Sequence, residues 1–562
     1  MKRIKFNLVT IFVFIFFLVL VSYWGVWDGF FQQDEWSGLG AFFSREKLPF
    51  LMQLKEIYAP MFQQGLGHFL LWTPGVNFIR YSLFGLNYQP YALMSVILHL
   101  FNVWILFMLA LYISKSKLAA YIAAVFFAVS ATASQSVIWV GTSIPTQLAL
   151  GFSMMSIYNF LVWLDTNKAK WIWLSVFYLI IAIGFKETAL FLFILIPVLG
   201  FIRGSQINKK VALIFGFFGI SYIVMRFILV VINTNTSVAF NEIWNLLENS
   251  LSNFVLIVVK GIAQITIPTE VFLIISEFIL ELTKSPLTPI NGDPKRDIFM
   301  ESQITIPVLY FIGVVIIAYL IFKLYRGWKQ KKLINAILPL FLILSFTPLV
   351  FLSSSELKST FLPSRNLYIP LAAISLWVGL IFANLVRKKD KKMIVLLISL
   401  IFIHGYYLRE QINNFNLQGQ ERKKILQEIK SRYPNLPSKV VFYTESDRSY
   451  YGLPEEDRIL PFQSGLGQTL LVWYFPAENF PKEFLQNRFL WDIKDQGYKQ
   501  SLPSGEGKGI GDRGFGYFRD IDLLKQALKE YNIPVESVIA FSWSGGNKEL
   551  IDISVGIKKS LK

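Results

Sequence analysis

Along the first two thirds of this 562-residue chain, long apolar runs alternate with short polar loops. A helix of about 20 residues rises about 30 Å, the thickness of a bilayer's hydrocarbon core. The pattern therefore predicts membrane-spanning helices. The runs cover 6–27, 89–113, 118–164, 171–201, 211–231, 304–322, 333–353, 365–386 and 393–408. As one helix, 171–201 would measure about 46 Å, too long for a single span. Both of its flanks are basic, so it reads as two short spans with a turn at Lys186-Glu187. The run 118–164 divides likewise, near Ser130-Ala131-Thr132. Two short apolar pieces, 254–267 and 271–282, are broken by Pro268. A re-entrant or interfacial segment is the first reading of these pieces, and a two-span hairpin the second. The expected fold class is an α-helical polytopic membrane protein with about eleven spans, or about thirteen on the second reading.

Composition agrees. The chain is 54% hydrophobic and only 16% charged, against roughly 25% in soluble proteins. Its mean hydropathy is +0.49. The formal net charge of +17 would suggest nucleic acid in a soluble protein. Here the lysines and arginines cluster in short loops, for example Lys2, Arg3 and Lys5, or Arg387 to Lys392, which is the positive-inside pattern. No nucleic-acid partner is expected. The absence of cysteine excludes disulfides and thiolate metal sites. Bulky Val21-Ser22-Tyr23-Trp24 follows the first run, so it reads as an uncleaved anchor rather than a signal peptide.

If all basic clusters are cytoplasmic, the chain is a multi-pass cell-membrane protein with its N-terminus inside. The loops 28–88 and 232–303 then lie outside, as does the turn at Lys186-Glu187. The loop 28–88 carries Phe62, Phe69 and Phe78 between breakers and predicts interfacial helices. The membrane domain is read as 1–408 and an extracytoplasmic soluble domain as 409–562. That tail predicts a charged helix over 418–433, a strand over 439–443 and a terminal hairpin with strands at 537–543 and 550–555. It reads as a small α/β or α+β domain. Gly509-Ile510-Gly511-Asp512-Arg513-Gly514 matches GxGxxG formally, but no strand is expected to lead into it. It is read as a flexible loop, running through 515–517 to a helix near Ile521.

The candidate chemistry sits at the outer water edge. Asp34 and Glu35 follow the first span, and a carboxylate there can take a proton from a hydroxyl nucleophile. Lys186 can hold a phosphate as a point charge, with Glu187 pairing with it or orienting it. Arg365 opens a span within Pro363-Ser364-Arg365-Asn366 and can grip phosphate oxygens bidentately. His68 is a supporting candidate in the first outer loop. His99 and Asn102 lie one turn apart inside a span and read as an interhelical hydrogen-bonding pair.

These residues lie in motifs that resemble the GT-C superfamily of membrane glycosyltransferases, especially its protein O-mannosyltransferase-like group and bacterial relatives. The motifs are Asp34-Glu35, Leu98-His99-Leu100-Phe101-Asn102, Ala124-Val125-Phe126-Phe127-Ala128 and Val137-Ile138-Trp139-Val140-Gly141. Phe185-Lys186-Glu187-Thr188-Ala189-Leu190 and Ser364-Arg365-Asn366-Leu367-Tyr368-Ile369-Pro370 complete the set. Relatives often carry His-Pro where this chain has Ser130-Ala131, and many carry Arg-Tyr where it has Arg365-Asn366.

The resemblance implies a donor sugar on a polyprenyl phosphate and a hydroxyl acceptor on a protein, glycan or lipid. It implies Asp34, less so Glu35, as the base, and Lys186 and Arg365 as phosphate anchors. A single displacement would invert the anomeric carbon. Some relatives use a divalent metal; Asp34 and Glu35 alone are too few ligands to decide. Two other readings stand beside it. A transporter or flippase of lipid-linked sugars would want charges in mid-span and internal repeats. A non-catalytic assembly protein would be indifferent to Asp34→Ala.

Overall fold

A computed structural model of the protein describes residues 8–32, 34–46, 48–63, 70–203, 207–233, 250–283, 299–329, 333–351, 359–451, 453, 456–477, 480–486, 490, 493–501 and 512–562. His68 and residues 509–511 lie outside the described residues. The chain divides into two compact units. One comprises Met1–Trp24, Tyr58–Pro74 and Met94–Ile412; the other comprises Gly25–Ile57, Gly75–Leu93 and Asn413–Lys562.

The first, membrane-type unit is helical. Its elements include α1 (Leu8–Ser22), α5 (Tyr88–Ser114), α6 (Lys117–Val129), α7 (Ser134–Ile138), α8 (Val140–Thr166), α9 (Ala169–Phe185), α10 (Leu192–Arg203) and α11 (Ile207–Asn233). Then come α12 (Ser250–Thr266), α13 (Thr269–Thr283), α14 (Ile306–Lys329), α15 (Leu333–Ser345), α16 (Tyr368–Arg387) and α17 (Lys391–Arg432); α5 before Met94 and α17 from Asn413 onward belong to the other unit. Among the described residues seven helices are long and apolar enough to cross a membrane, and four shorter apolar helices accompany them. Large apolar side chains stay exposed along them, such as Phe217 at 66%, Phe311 at 71% and Phe402 at 72%. Water would penalise that surface, whereas lipid accepts it. The protein is an α-helical polytopic membrane protein.

The expected breaks are present. The chain bends by 57° between α6 and the segment Ala131–Ile138. It turns between α9 and α10 through the 3-10 helix Glu187–Phe191, and Pro268 separates α12 from α13. Glycines let helices meet closely, because packing in lipid relies on contact rather than on hydrophobic exclusion. A Cβ on Gly379 would strike the Ala119 carbonyl, and one on Gly313 the Val259 carbonyl. One expectation changes: a span ending near 408 and a separate helix over 418–433 are a single helix, α17. The segment after 408 is rich in Glu, Gln, Arg and Lys, all good helix formers. Hydropathy marks where lipid would end, not where the helix ends. Pro434 follows its end.

The second unit contains α2 (Asp34–Phe43) and α4 (Thr73–Phe84, from Gly75 onward), with α3 (Phe50–Gln63) falling across the division. The described part of the loop 28–88 is mostly helical, while Phe69 lies outside the described residues. Its sheet has strands β1 (Lys439–Ser446), β2 (Gly497–Gln500), β3 (Gly514–Phe518), β4 (Val538–Ser544) and β5 (Glu549–Asp552). They lie in the order β2-β3-β1-β4-β5. β1 runs parallel to β3 and β4, while the edge strands are antiparallel to their neighbours. The expected terminal hairpin is β4–β5.

Alternation along the strands covers both faces. Val441, Tyr443, Val538 and Ala540 pack against Leu524, Ala527 and Leu528 of helix α20 (Ile521–Glu530). Phe442 and Phe515 point the other way, where Phe515 meets Phe480 edge-on at 5.1 Å. Helices α18 (Leu466–Tyr474) and α19 (Lys482–Gln486) belong to this unit as well. Strand β3 corrects the loop expected through 514–517. Its glycines hid it, yet they are what the strand needs, since a Cβ on Gly514 would collide with the Tyr498 hydroxyl.

Candidate functional site

Asp34 and Glu35 form the first turn of α2, where carboxylates complement the partial positive charge of the helix end. Their surroundings differ. Asp34 is exposed, whereas Glu35 is only 2% exposed. The helix is held from within its own unit. Gly40 makes room for Gln468 and Val472 of α18, and Phe43 stacks on Phe475 at 5.8 Å. Trp36, Phe30 and Trp473 pack edge-on or tilted at 5.8–6.4 Å.

Arg80 completes this cluster. It is 3% exposed, donates from Nη1 to Asn77 Oδ1 at 3.0 Å, and lies 4.9 Å over the Tyr91 ring. Burial pulls its guanidinium down from the ordinary arginine value, and the neighbouring Tyr81, Tyr91 and Glu35 oppose that pull. Tyr81 is pushed up to about 12, chiefly by burial; Arg80 draws it down, and Glu35 and Asp34 push it up. The result is one exposed carboxylate beside one buried in an arginine-tyrosine setting.

The cations lie in the membrane-type unit. Lys186 follows the last turn of α9, and its Nζ donates to Thr146 Oγ1 of α8 at 3.0 Å. The preceding turn is fixed by Trp72, whose backbone N–H donates to Gly184 O at 2.9 Å, and by Thr73, whose hydroxyl donates to Phe185 O at 3.2 Å. Gly184 cannot carry a side chain there, because a Cβ would collide with the Trp72 indole. Arg365 sits in the 3-10 turn Ser364–Asn366. Its backbone N–H donates to Gln135 Oε1 at 3.3 Å, and its guanidinium lies 5.1 Å from the Trp139 ring centre. Trp139 is the N-cap of α8.

Trp139 caps α8 and Thr146 lies seven residues on, about 10 Å of helix rise from it. The fold thus brings Lys186 and Arg365 to the same end of the same helix. Glu187 turns elsewhere: it accepts from the Tyr222 hydroxyl at 2.9 Å and pairs with Arg226 at 3.4 Å, both on α11. Asp34 and Glu35 belong to the other unit.

His99 and Asn102 bridge helices, as their spacing suggested. Asn102 Nδ2 donates to Gln147 O at 2.9 Å and to the Tyr368 hydroxyl at 3.3 Å. His99 Nδ1 lies 2.7 Å from that hydroxyl, and its Nε2 lies 3.5 Å from the Ala128 carbonyl. A carbonyl can only accept, so Nε2 carries the proton and Tyr368 donates to Nδ1. Gln147 Nε2 donates to Ser95 Oγ and Ser136 O at 2.8 and 2.9 Å.

Sequence reasoning missed four residues. His404 accepts the Ala131 N–H at Nδ1 over 3.3 Å, and its Nε2 lies 3.2 Å from Thr266 O, so it ties α17 to two helix breaks. Gln264 brackets Leu362, accepting its N–H at 3.0 Å and donating to its carbonyl at 3.2 Å. Lys260 Nζ donates to Ser359 O at 2.9 Å. Both hold the segment that leads to Arg365. Arg80 is the fourth. The available signal was the same each time: a single polar side chain inside an apolar run, which must find a distant partner. Among the described residues no three His, Asp or Glu side chains gather to hold a metal ion.

No protein-family model matches the chain, and no curated protein matches it. Among solved structures the chain is similar to the crystal structure of ArnT from Cupriavidus metallidurans bound to undecaprenyl phosphate. The two share 12% identity, with 83% of this chain and 84% of that chain covered, at a TM-score of 0.39. That likeness is distant, and the functional reading rests on this chain's own residues.

Proposed function

We propose that the protein is a membrane glycosyltransferase of GT-C type that moves a sugar from a polyprenyl-phosphate donor to a hydroxyl acceptor at the outer face of the cell membrane. The observation that carries the reading is the placement of Lys186 and Arg365 on one end of α8. Their charges, with the partial positive end of that helix, suit the phosphate of a carrier whose isoprenoid chain stays in the bilayer. Phosphate leaves readily, so the acceptor needs a base more than the leaving group needs an acid.

Asp34 is that base, because it is exposed and can reach a hydroxyl; Glu35 supports it from its buried position. The acceptor oxygen bonds to the anomeric carbon as the carbon–phosphate oxygen bond breaks. Asp34 takes the hydroxyl proton, and the carrier phosphate leaves with the electron pair. One displacement inverts the anomeric centre. The tail lies in the same unit as Asp34 and presents the acceptor, which is a protein, glycan or lipid. No step is assigned to a metal.

Membranes containing the protein, supplied with radiolabelled polyprenyl-phosphate sugars and candidate acceptors, test the proposal. Asp34→Asn with Glu35→Gln should abolish transfer while leaving the protein folded. Full transfer by that variant would remove the base from the account. A cytoplasmic reporter signal from a fusion at Lys562 would remove the outer placement of the tail.

A further inference from the structure

The carboxylate pair is reached through a stretch that is buried yet has no regular structure. Gly29, Phe30 and Phe31 lie between the 3-10 turn Val26–Asp28 and α2, and all three are buried. Peptide groups in such a stretch must find partners inside the protein, because water is out of reach. The part of α17 that belongs to this unit supplies them. Asn416 Nδ2 donates to Gly25 O at 2.8 Å, and Arg422 Nε donates to Phe31 O at 3.1 Å. Gly419, midway between them, brings the helix against the chain, since a Cβ there would stand 2.7 Å from the Phe30 nitrogen. Residues three apart on a helix are neighbours, so 416, 419 and 422 make one track. Arg422 is 1% exposed, and the buried charged side chains described in this unit are Glu35, Arg80 and Arg422. Charged side chains are buried this deeply almost only when they hold a partner, and the Phe31 carbonyl is one that Arg422 holds. The charges of Glu35 and Arg422 both reach the Tyr88 hydroxyl.

We infer that Arg422 is a positioning residue for the carboxylate pair, acting through the Phe31 backbone, with Asn416 and Gly419 on the same track of α17. Phe31 stands three residues before Asp34, and its ring packs on Trp36 of α2 at 5.4 Å. A shift of the Phe31 peptide therefore moves the first turn of α2, where Asp34 and Glu35 sit. The far half of α2 is held separately, by Gln468 and Val472 at Gly40 and by Phe475 at Phe43. Arg422 and its neighbours thus fix the end that carries the acids. Arginine suits the task, because its rigid planar fork ties the carbonyl in one geometry where a lysine ammonium would swivel. The inference rests on the reading of Asp34 as the base, since it says what holds that base in place.

The test uses the full chain in membranes with radiolabelled donor and acceptor, and reads kcat, KM for the donor and unfolding temperature together. Gly419→Ala removes no charge and no hydrogen bond, and Ala is the better helix former. Its Cβ would push the backbone at Phe30 off the helix. The variant should lower kcat roughly ten- to hundredfold, the scale of a misplacement near 1 Å, and leave the donor KM within about twofold. Arg422→Gln should do the same, and Arg422→Lys should not restore kcat. Should Gly419→Ala misfold, Asn416→Leu replaces it, with a loss of about tenfold or less. Restoration of kcat by Arg422→Lys would make charge rather than position the cause and overturn the inference. Loss of kcat and donor affinity in parallel would mark a general structural role and overturn it too. If the folded variants keep the natural kcat while Asp34→Asn with Glu35→Gln abolishes transfer, the positioning role is wrong and the base reading stands. If that double variant transfers fully, or the natural protein transfers nothing, both fall.

Discussion

Two polar clusters sit inside the membrane-type unit, and they close differently. Around His99 the hydrogen bonds run in a chain through Tyr368, Asn102, Gln147 and Ser95. What stays open there is acceptor oxygen at Asn102 Oδ1 and Gln147 Oε1, together with the hydroxyls of Ser136 and of Tyr23, whose ring lies 5.0 Å from His99. Both amides already spend their NH2 groups. Around Arg365 and Lys186 two cations stand among the polar groups, and Trp139, Ser364, Asn366 and Thr188 keep open groups that can donate. A network that spends its donors on its own helices is built to hold them together. On the reading proposed above, the cluster with the two cations receives an anion. Burial alone does not separate the two clusters; the charge of Lys186 and Arg365 does.

The comparison breaks most sharply on the cations. Replacing Lys186 and Arg365 together by Ala should lower transfer by about a hundredfold or more, the scale of lost charge stabilisation, with little change in unfolding temperature. Transfer assays and thermal unfolding on one preparation read both. His99→Leu should do the reverse. It strands the Tyr368 hydroxyl and the Ala128 carbonyl, costing about 1–3 kcal/mol of stability, with transfer per folded molecule near that of the natural protein. Collapse of transfer in the folded His99→Leu protein would merge the two clusters into one functional site.

The smallest effect comes from the other unit and appears only in alkali. Unfolded tyrosine ionises near 10, roughly, whereas Tyr81 is pushed up to about 12, mainly by burial. Folding therefore favours the neutral phenol. Its contribution to stability is whole below pH ~10 and is lost as pH rises through about 12. Alkaline unfolding curves should be flatter across that window for Tyr81→Phe. An unchanged curve would remove Tyr81 from the setting around Glu35.

Much of the fold was legible because lipid imposes a simple rule on length and polarity. The turn at Lys186-Glu187, the bend near Ser130 and the break at Pro268 all follow from runs too long or too interrupted for one span. The 42-residue helix Lys391–Arg432 was not legible, since a falling hydropathy looks the same whether a helix ends or leaves the membrane. Strand Gly514–Phe518 was hidden by glycines whose purpose is to admit Tyr498. In the site, the charged residues announced themselves and their partners did not. Glu187 chose Arg226 and Tyr222 over its neighbour, through packing that only the folded chain defines. Trp139 stood in a motif, but nothing in the sequence named its partner. Its contact is with Arg365, more than two hundred positions away in the sequence, lying across its ring.

The most direct measurement is the ratio of affinities for polyprenyl phosphate and polyprenol, taken on the natural protein and on Arg365→Ala in nanodiscs. A strong preference for the phosphate that collapses in the variant is the predicted result. A preference that survives loss of Arg365 would contradict the claim that this end of α8 receives the donor.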